Sequence, residues 1–240
     1  GRRPGQRTGD DRHREKRANP AVGSGLLVER AMYPPSPYLS QFRKCGCNVR
    51  IAPDVFIEHP EQFEIGDNVT IESGVIIRGR PEVARIGSNV IFGARCYVEG
   101  SPTRLIIEDN VQFYTGVYMG MGNLPTSFVE IGHHSHFAPY GILYGWGGLK
   151  IGPYCNVAAH VVLATVGHHD EITDRPMALT GEKAAPITLV EDVWIAANAT
   201  ICAGVTIAKG CVIAANAVVT RDTEPMGVYA GVPARFLRSR

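Results

Sequence analysis

From Cys45 onward an apolar residue opens one six-residue unit after another, in eight groups of three: Cys45, Ile51, Ile57; Ile65, Ile71, Ile77; Ile86, Phe92, Val98; Ile107, Phe113, Met119; Ile131, Phe137, Leu143; Ile151, Val157, Leu163; Leu189, Ile195, Ile201; Ile207, Ile213, Val219. The fifth residue of each first and second unit obeys a second rule. Val49, Val55, Val69, Val75, Val90, Cys96, Val111, Val117, Ser135, Gly141, Cys155, Val161, Val193, Ala199, Cys211 and Ala217 are all Val, Ala, Ser, Cys or Gly. A fixed period that carries one bulky and one small inward position is the mark of a β-solenoid, in which each repeat buries its apolar face only against its neighbours.

Three units make one triangular turn of short strands, with residues of the Gly-Asp-Asn or Ala-Pro-Asp type turning the corners. Parallel strands stack about 4.8 Å apart, so eight turns predict an all-β prism roughly 38 Å long. Alternation along each strand points the first and fifth residues of a unit inward and the sixth outward. Chemistry on such a scaffold belongs at sixth positions and at interruptions.

The register is interrupted at length once, directly after His168, and resumes at Leu189. The other gaps between turns are much shorter. A loop of about twenty residues inside a compact fold is a functional or disordered segment. Residues 169–188 open with His169, Asp170 and Glu171 and run through Asp174, Arg175, Pro176 and Met177, a polar composition suited to a lid. His168 stands at the outward sixth position of its unit, at the root of that loop. An imidazole, with an ordinary pKa of about 6.5, can take a proton at physiological pH, as a general base must.

The remaining composition narrows the setting. Repeats fill residues 45–224 without a shift in composition, which favours one domain within the 240 residues. A net charge of +1 gives the body no nucleic-acid footprint. Residues 1–24 read as a basic, flexible tail, 25–44 as a cap over the first turn, and 225–240 as a short tail beyond Pro225. No run is long and apolar enough to span a membrane, no signal peptide is legible, and the expected location is cytoplasmic. Cys45, Cys96, Cys155 and Cys211 fall at inward positions, where cysteine serves as a small apolar residue, and Cys45 and Cys47 lack zinc or redox spacing.

Five stretches, in order and spacing, resemble the hexapeptide-repeat β-helix acyltransferases, in particular the maltose, galactoside and polysaccharide O-acetyltransferase branch. They are Gly-Gly-Leu-Lys-Ile-Gly (147–152), Ala-Thr-Val-Gly-His-His (164–169), Ala-Pro-Ile-Thr-Leu-Val-Glu-Asp-Val-Trp-Ile (185–195), Val-Val-Thr-Arg-Asp (218–222) and Val-Tyr-Ala-Gly-Val-Pro-Ala-Arg (228–235). The resemblance implies a left-handed parallel β-helix, against the usual right-handed crossover. It also implies a homotrimer with active sites between subunits, acetyl-CoA as acyl donor, and His168 as catalytic base with His169 as its rival. It places an oxyanion-binding backbone amide at Ala197 and a coenzyme A slot along Trp194, Ala197, Ala215, Thr220, Arg221 and Arg235. No metal is expected.

No Cys or Ser stands beside His168 in a triad arrangement, so direct transfer fits better than an acyl-enzyme. The acceptor is expected to be a sugar, a polysaccharide precursor or another hydroxylated small molecule. The acceptor-site asparagine of the galactoside and maltose branches has no clear counterpart; Phe137, Ala138, Pro139 and Tyr140 occupy that region. Tyr140, Tyr144 and Trp146 could form an aromatic platform for a sugar or a face between subunits, with His169 and Asp170 alongside.

Three other readings stay open. An N-acyltransferase of an amino sugar or xenobiotic would use the same histidine. A zinc hydratase on the same prism is raised by His133, His134, His136 and His160, none of which is spaced five residues from another as that family's paired ligands are. A trimeric scaffold would need no activity to fold.

Overall fold

The structure, a computed structural model, describes residues 33–171 and 174–240. The basic segment 1–24 and the first part of the expected cap, residues 25–32, lie outside the described residues. The rest is a parallel β-solenoid of eight three-sided turns.

Each side is a ladder of the same unit from successive turns. On the first side Cys45, Ile65, Ile86, Ile107, Ile131, Ile151, Leu189 and Ile207 stand in one register column. The second side stacks Ile51, Ile71, Phe92, Phe113, Phe137, Val157, Ile195 and Ile213, and the third stacks Ile57, Ile77, Val98, Met119, Leu143, Leu163, Ile201 and Val219. All of these first residues except Cys45 are buried, and so is every fifth residue except Val49. Phe113 stacks between Phe92 and Phe137 at 5.0 Å on either side, so the middle of the second side lines the core with a column of rings.

The corners obey a third rule, carried by the fourth residue of the first and second units. Asn48, Asn68, Asn89, Asn110, His134, Tyr154 and Asp192 hold positive φ at the first corner, and Gly74, Arg95, Gly116, Tyr140, His160, Asn198 and Asn216 hold it at the second. Asparagine tolerates this left-handed conformation better than other residues with a side chain. Its amide then adds a ladder: Asn48 donates to Asn68 at 2.8 Å, Asn68 to Asn89 and Asn89 to Asn110 at 3.2 Å each.

Both described ends are closed. Pro37–Ser40 forms one turn of 3-10 helix; Tyr33, Tyr38 and Leu39 pack on the core, and the Tyr38 hydroxyl accepts the Ile57 amide at 3.1 Å. Beyond Pro225 the chain makes two further strands. Gly227–Ala230 pairs parallel to Val212–Ile213 with Tyr229 buried, and Arg235–Ser239 folds back antiparallel over it. This strand pair covers the edge of the second side with arginine-bearing backbone. Among the described residues no helix is long and apolar enough to cross a membrane.

Candidate functional site

The long interruption begins earlier than the repeat alone suggests. After Val162–Ala164 the chain leaves the prism at Thr165, three residues before His168, and returns at Ile187. Thr165 is a fully buried polar residue, and its partners explain the exit. Its hydroxyl donates to the Tyr144 carbonyl at 2.9 Å and accepts the Gly147 amide at 3.2 Å, while its carbonyl accepts the Ala185 amide at 3.0 Å. One residue thus ties the outgoing strand to the turn below through its hydroxyl and to the returning strand through its carbonyl. Gly147 is obligatory there, because a Cβ would sit 2.5 Å from the Ala185 nitrogen.

From that clamp, Val166–His168 and Glu182–Ala184 rise as an antiparallel pair. His168 is exposed on this arm, not seated on the prism wall, and Glu182 is its register partner. Farther out, His169 Nδ1 lies 3.3 Å from a Glu171 oxygen, and the Lys183 ammonium lies 3.5 Å from Glu171 and 3.9 Å from Asp170. The Glu171 carboxyl is held below its ordinary range by a hydrogen bond from its own amide, then by the charges of Lys183 and His169. Met177–Leu179 adds one exposed 3-10 turn. A two-stranded arm docked mainly through its root is the kind of element that opens at low cost.

The other predicted positions divide between two edges of the prism. Ala197 and Ala215 follow Trp194–Ile195 and Val212–Ile213, on the edge between the second and third sides, and are bridged by the Asn216 amide donating to the Ala197 carbonyl at 3.0 Å. Ala159 holds the same place one turn earlier, its carbonyl accepting the Asn198 amide at 3.0 Å. This edge is a stack of alanines beside the half-exposed Trp194. His168, Thr220 and Arg221 instead lie where the chain leaves the third side for the first. Arg235 is on the closing strand, its guanidinium on the neighbouring Ala234 carbonyl at 2.9 Å. A whole side of the triangle therefore separates His168 from Ala197 within one chain.

Ring contacts likewise separate the three predicted aromatics. Tyr140 occupies a corner and stacks on His160 at 5.7 Å and 6°. Trp146 lies over Gly122, its carbonyl accepting the hydroxyls of Ser127 at 3.0 Å and Thr126 at 3.3 Å. Tyr144 instead meets Tyr118 edge-on at 5.9 Å, and Tyr118 stacks on Tyr97 at 6.0 Å. Tyr97 and Tyr118 were legible as outward sixth residues of their units, but the acid beside them, Glu99, is the second residue of the unit that Val98 opens, a position for which the period sets no residue type.

His133 and His134 bring their Nδ1 atoms to 2.9 Å at the first corner, with Tyr154 stacked on His134 at 5.3 Å. The His136 pKa is lowered by burial and then by the neighbouring His134. Among the described residues no group of three or more His, Cys, Asp or Glu side chains is arranged to hold a metal ion.

Comparison with known proteins agrees with this architecture. Residues 186–221 match the family described as bacterial transferase hexapeptide (six repeats). A probable macrolide acetyltransferase from Lysinibacillus sphaericus is 33% identical over 135 residues, covering 49% of this chain and 71% of that protein. Among solved structures, the N-acyltransferase AntD from Bacillus cereus, in complex with dTDP and 3-hydroxybutyryl-CoA, superposes over 84% of this chain and 85% of its own, at 20% identity and a TM-score of 0.46. A hexapeptide-repeat acetyltransferase from Vibrio cholerae, complexed with acetyl-CoA, covers 84% of this chain and 73% of its own at 21% identity and a TM-score of 0.36. With its repeat register and its likeness to the Lysinibacillus protein taken together, this chain belongs to the bacterial hexapeptide-repeat transferase family.

Proposed function

We propose that the protein transfers an acetyl group from acetyl-CoA to a hydroxyl of a saccharide or similar hydroxylated small molecule, with His168 as general base, in a cytoplasmic homotrimer of left-handed β-helices. The observation that carries this reading is the clamped arm. It is the one long departure from an eight-turn repeat, and it presents an exposed histidine. The acetyltransferase name of the Lysinibacillus relative gives the same direction.

His168 takes the proton of the acceptor hydroxyl as its oxygen attacks the thioester carbonyl. The Ala197 amide receives the charge that develops on the carbonyl oxygen. Collapse breaks the carbon–sulfur bond, and the thiolate recovers a proton from the imidazolium, so no protein acyl intermediate is needed. The Ala159, Ala197 and Ala215 stack suits an extended pantetheine lying close to backbone, Trp194 would flank it, and Thr220, Arg221 and Arg235 would meet the phosphate-bearing end. Because His168 and Ala197 lie on different edges, the reading requires a second copy to complete each site.

A screen of hydroxylated acceptors with acetyl-CoA, following free thiol, tests the assignment. The expected result is acceptor-dependent thiol release that His168→Ala lowers by roughly two to four powers of ten without changing assembly mass. Release that His168→Ala leaves intact would remove the histidine from the chemistry.

A further inference from the structure

The outer face of the third side carries a feature that acyl transfer as described leaves unused. Down that face the outward column runs Phe56, Ile76, Tyr97, Tyr118, Ile142 and Val162, and the neighbouring column runs Arg78, Glu99, Gly120, Tyr144 and Ala164. Ala164 leads directly into the arm that carries His168. Three strand spacings, on the order of 15 Å, separate Ala164 from Glu99.

Gly120 is the floor of this patch. Its φ is not in the left-handed region, so its conformation does not call for glycine; space does. A Cβ there would meet the Tyr118 hydroxyl at 2.9 Å and the Tyr144 ring at 3.1 Å. The two rings lean over the glycine from adjacent strands, edge to face. Tyr97 extends the ring surface by one more strand.

Set among these half-buried rings is a carboxylate. Glu99 accepts the Tyr118 hydroxyl at 2.6 Å, and among the described residues this is the partner it has. The cation nearest in register, Arg78, is turned away, its guanidinium carbon 5.7 Å from the centroid of the Phe56 ring. The Tyr118 pKa is raised, by burial first and then by the Glu99 bond, so Tyr118 stays a hydroxyl donor to the acid. A negative charge among tyrosine faces, with no cation of its own, is suited to a ligand ammonium, which gains from the acid and from the rings together. Packing this face against another apolar surface would instead strand the charge.

We propose that Tyr97, Tyr118, Tyr144 and Glu99 form an acceptor subsite for a protonated amine carried on a ring. This rests on the acyl-transfer reading and narrows it: the acceptor is an amine-bearing, ring-containing alcohol whose ammonium is held at Glu99 while its hydroxyl reaches His168.

Direct binding tests the subsite independently of catalysis. Para-nitrophenyl glucosaminide and its N-acetyl counterpart, which differ by the acetyl group that removes the charge, are titrated calorimetrically at neutral pH into the 240-residue protein. Wild type is expected to bind the amine form about tenfold more tightly, a difference of about 1.4 kcal/mol. Glu99→Gln should erase that preference, and Tyr118→Phe, which removes the hydroxyl that holds the carboxylate in place over Gly120, should weaken it. Equal binding of the two probes by wild type, no binding of either, or a preference that survives Glu99→Gln would overturn the subsite. A change in assembly mass in Glu99→Gln would overturn it too, by assigning the patch to contacts between copies. Absence of thiol release with every acceptor would sink acyl transfer while leaving the binding result to stand or fall by itself.

Discussion

At the scale of single residues, the fourth position of the unit decides how tightly the prism turns. Asn89 both adopts positive φ and joins an amide ladder with Asn68 and Asn110. Asn89→Ala keeps the left-handed backbone but loses the side chain that tolerates it, and is expected to cost about 1–2 kcal/mol in urea unfolding. Asn89→Gly loses the same ladder bonds without the strain and should cost less. Equal losses would show that the ladder, not the backbone, sets the stability of the corner. The same rule accounts for Tyr140 and His160. Their stacking follows from successive fourth positions at one corner, a signal present in the sequence.

At the scale of elements, the arm depends on Thr165. Thr165→Val keeps the shape but removes the hydroxyl shared by the Tyr144 carbonyl and the Gly147 amide, leaving buried polar groups that cost about 1–3 kcal/mol. The expected readout is amide exchange that quickens in Val166–His168 and Glu182–Ala184 more than in Val162–Ala164. Uniform change across all three segments would mean that the arm is held by something else. The prism strands were legible because Ile65, Phe92, Leu143 and their counterparts repeat without exception. The exit was not, since Thr165 is polar at a buried place and nothing in a hexapeptide count marks a residue whose hydroxyl holds the turn below while its carbonyl holds the returning strand. Nor was the closing pair of strands: Tyr229 continues the inward column of Ile213, but Pro225 and the irregular spacing around it hide the register.

At the scale of the whole molecule, the three-sided geometry makes the account testable. The proposed base, His168, stands on the arm where the third side gives way to the first, and the alanine stack lies on the edge between the second and third sides. One chain cannot fold the two together without breaking the third side, so the site we propose draws His168 from one copy and Ala197 from the next. Mixing two inactive proteins examines this. His168→Ala keeps the proposed slot and lacks the proposed base; Ala215→Trp, at an exposed position, keeps that base and fills that slot. After subunit exchange at equal amounts, random assembly gives about a quarter of the sites an intact base facing an intact slot. The account predicts recovery of about that fraction of wild-type thiol release. Hybrid assemblies verified by mass that recover no activity would contradict it.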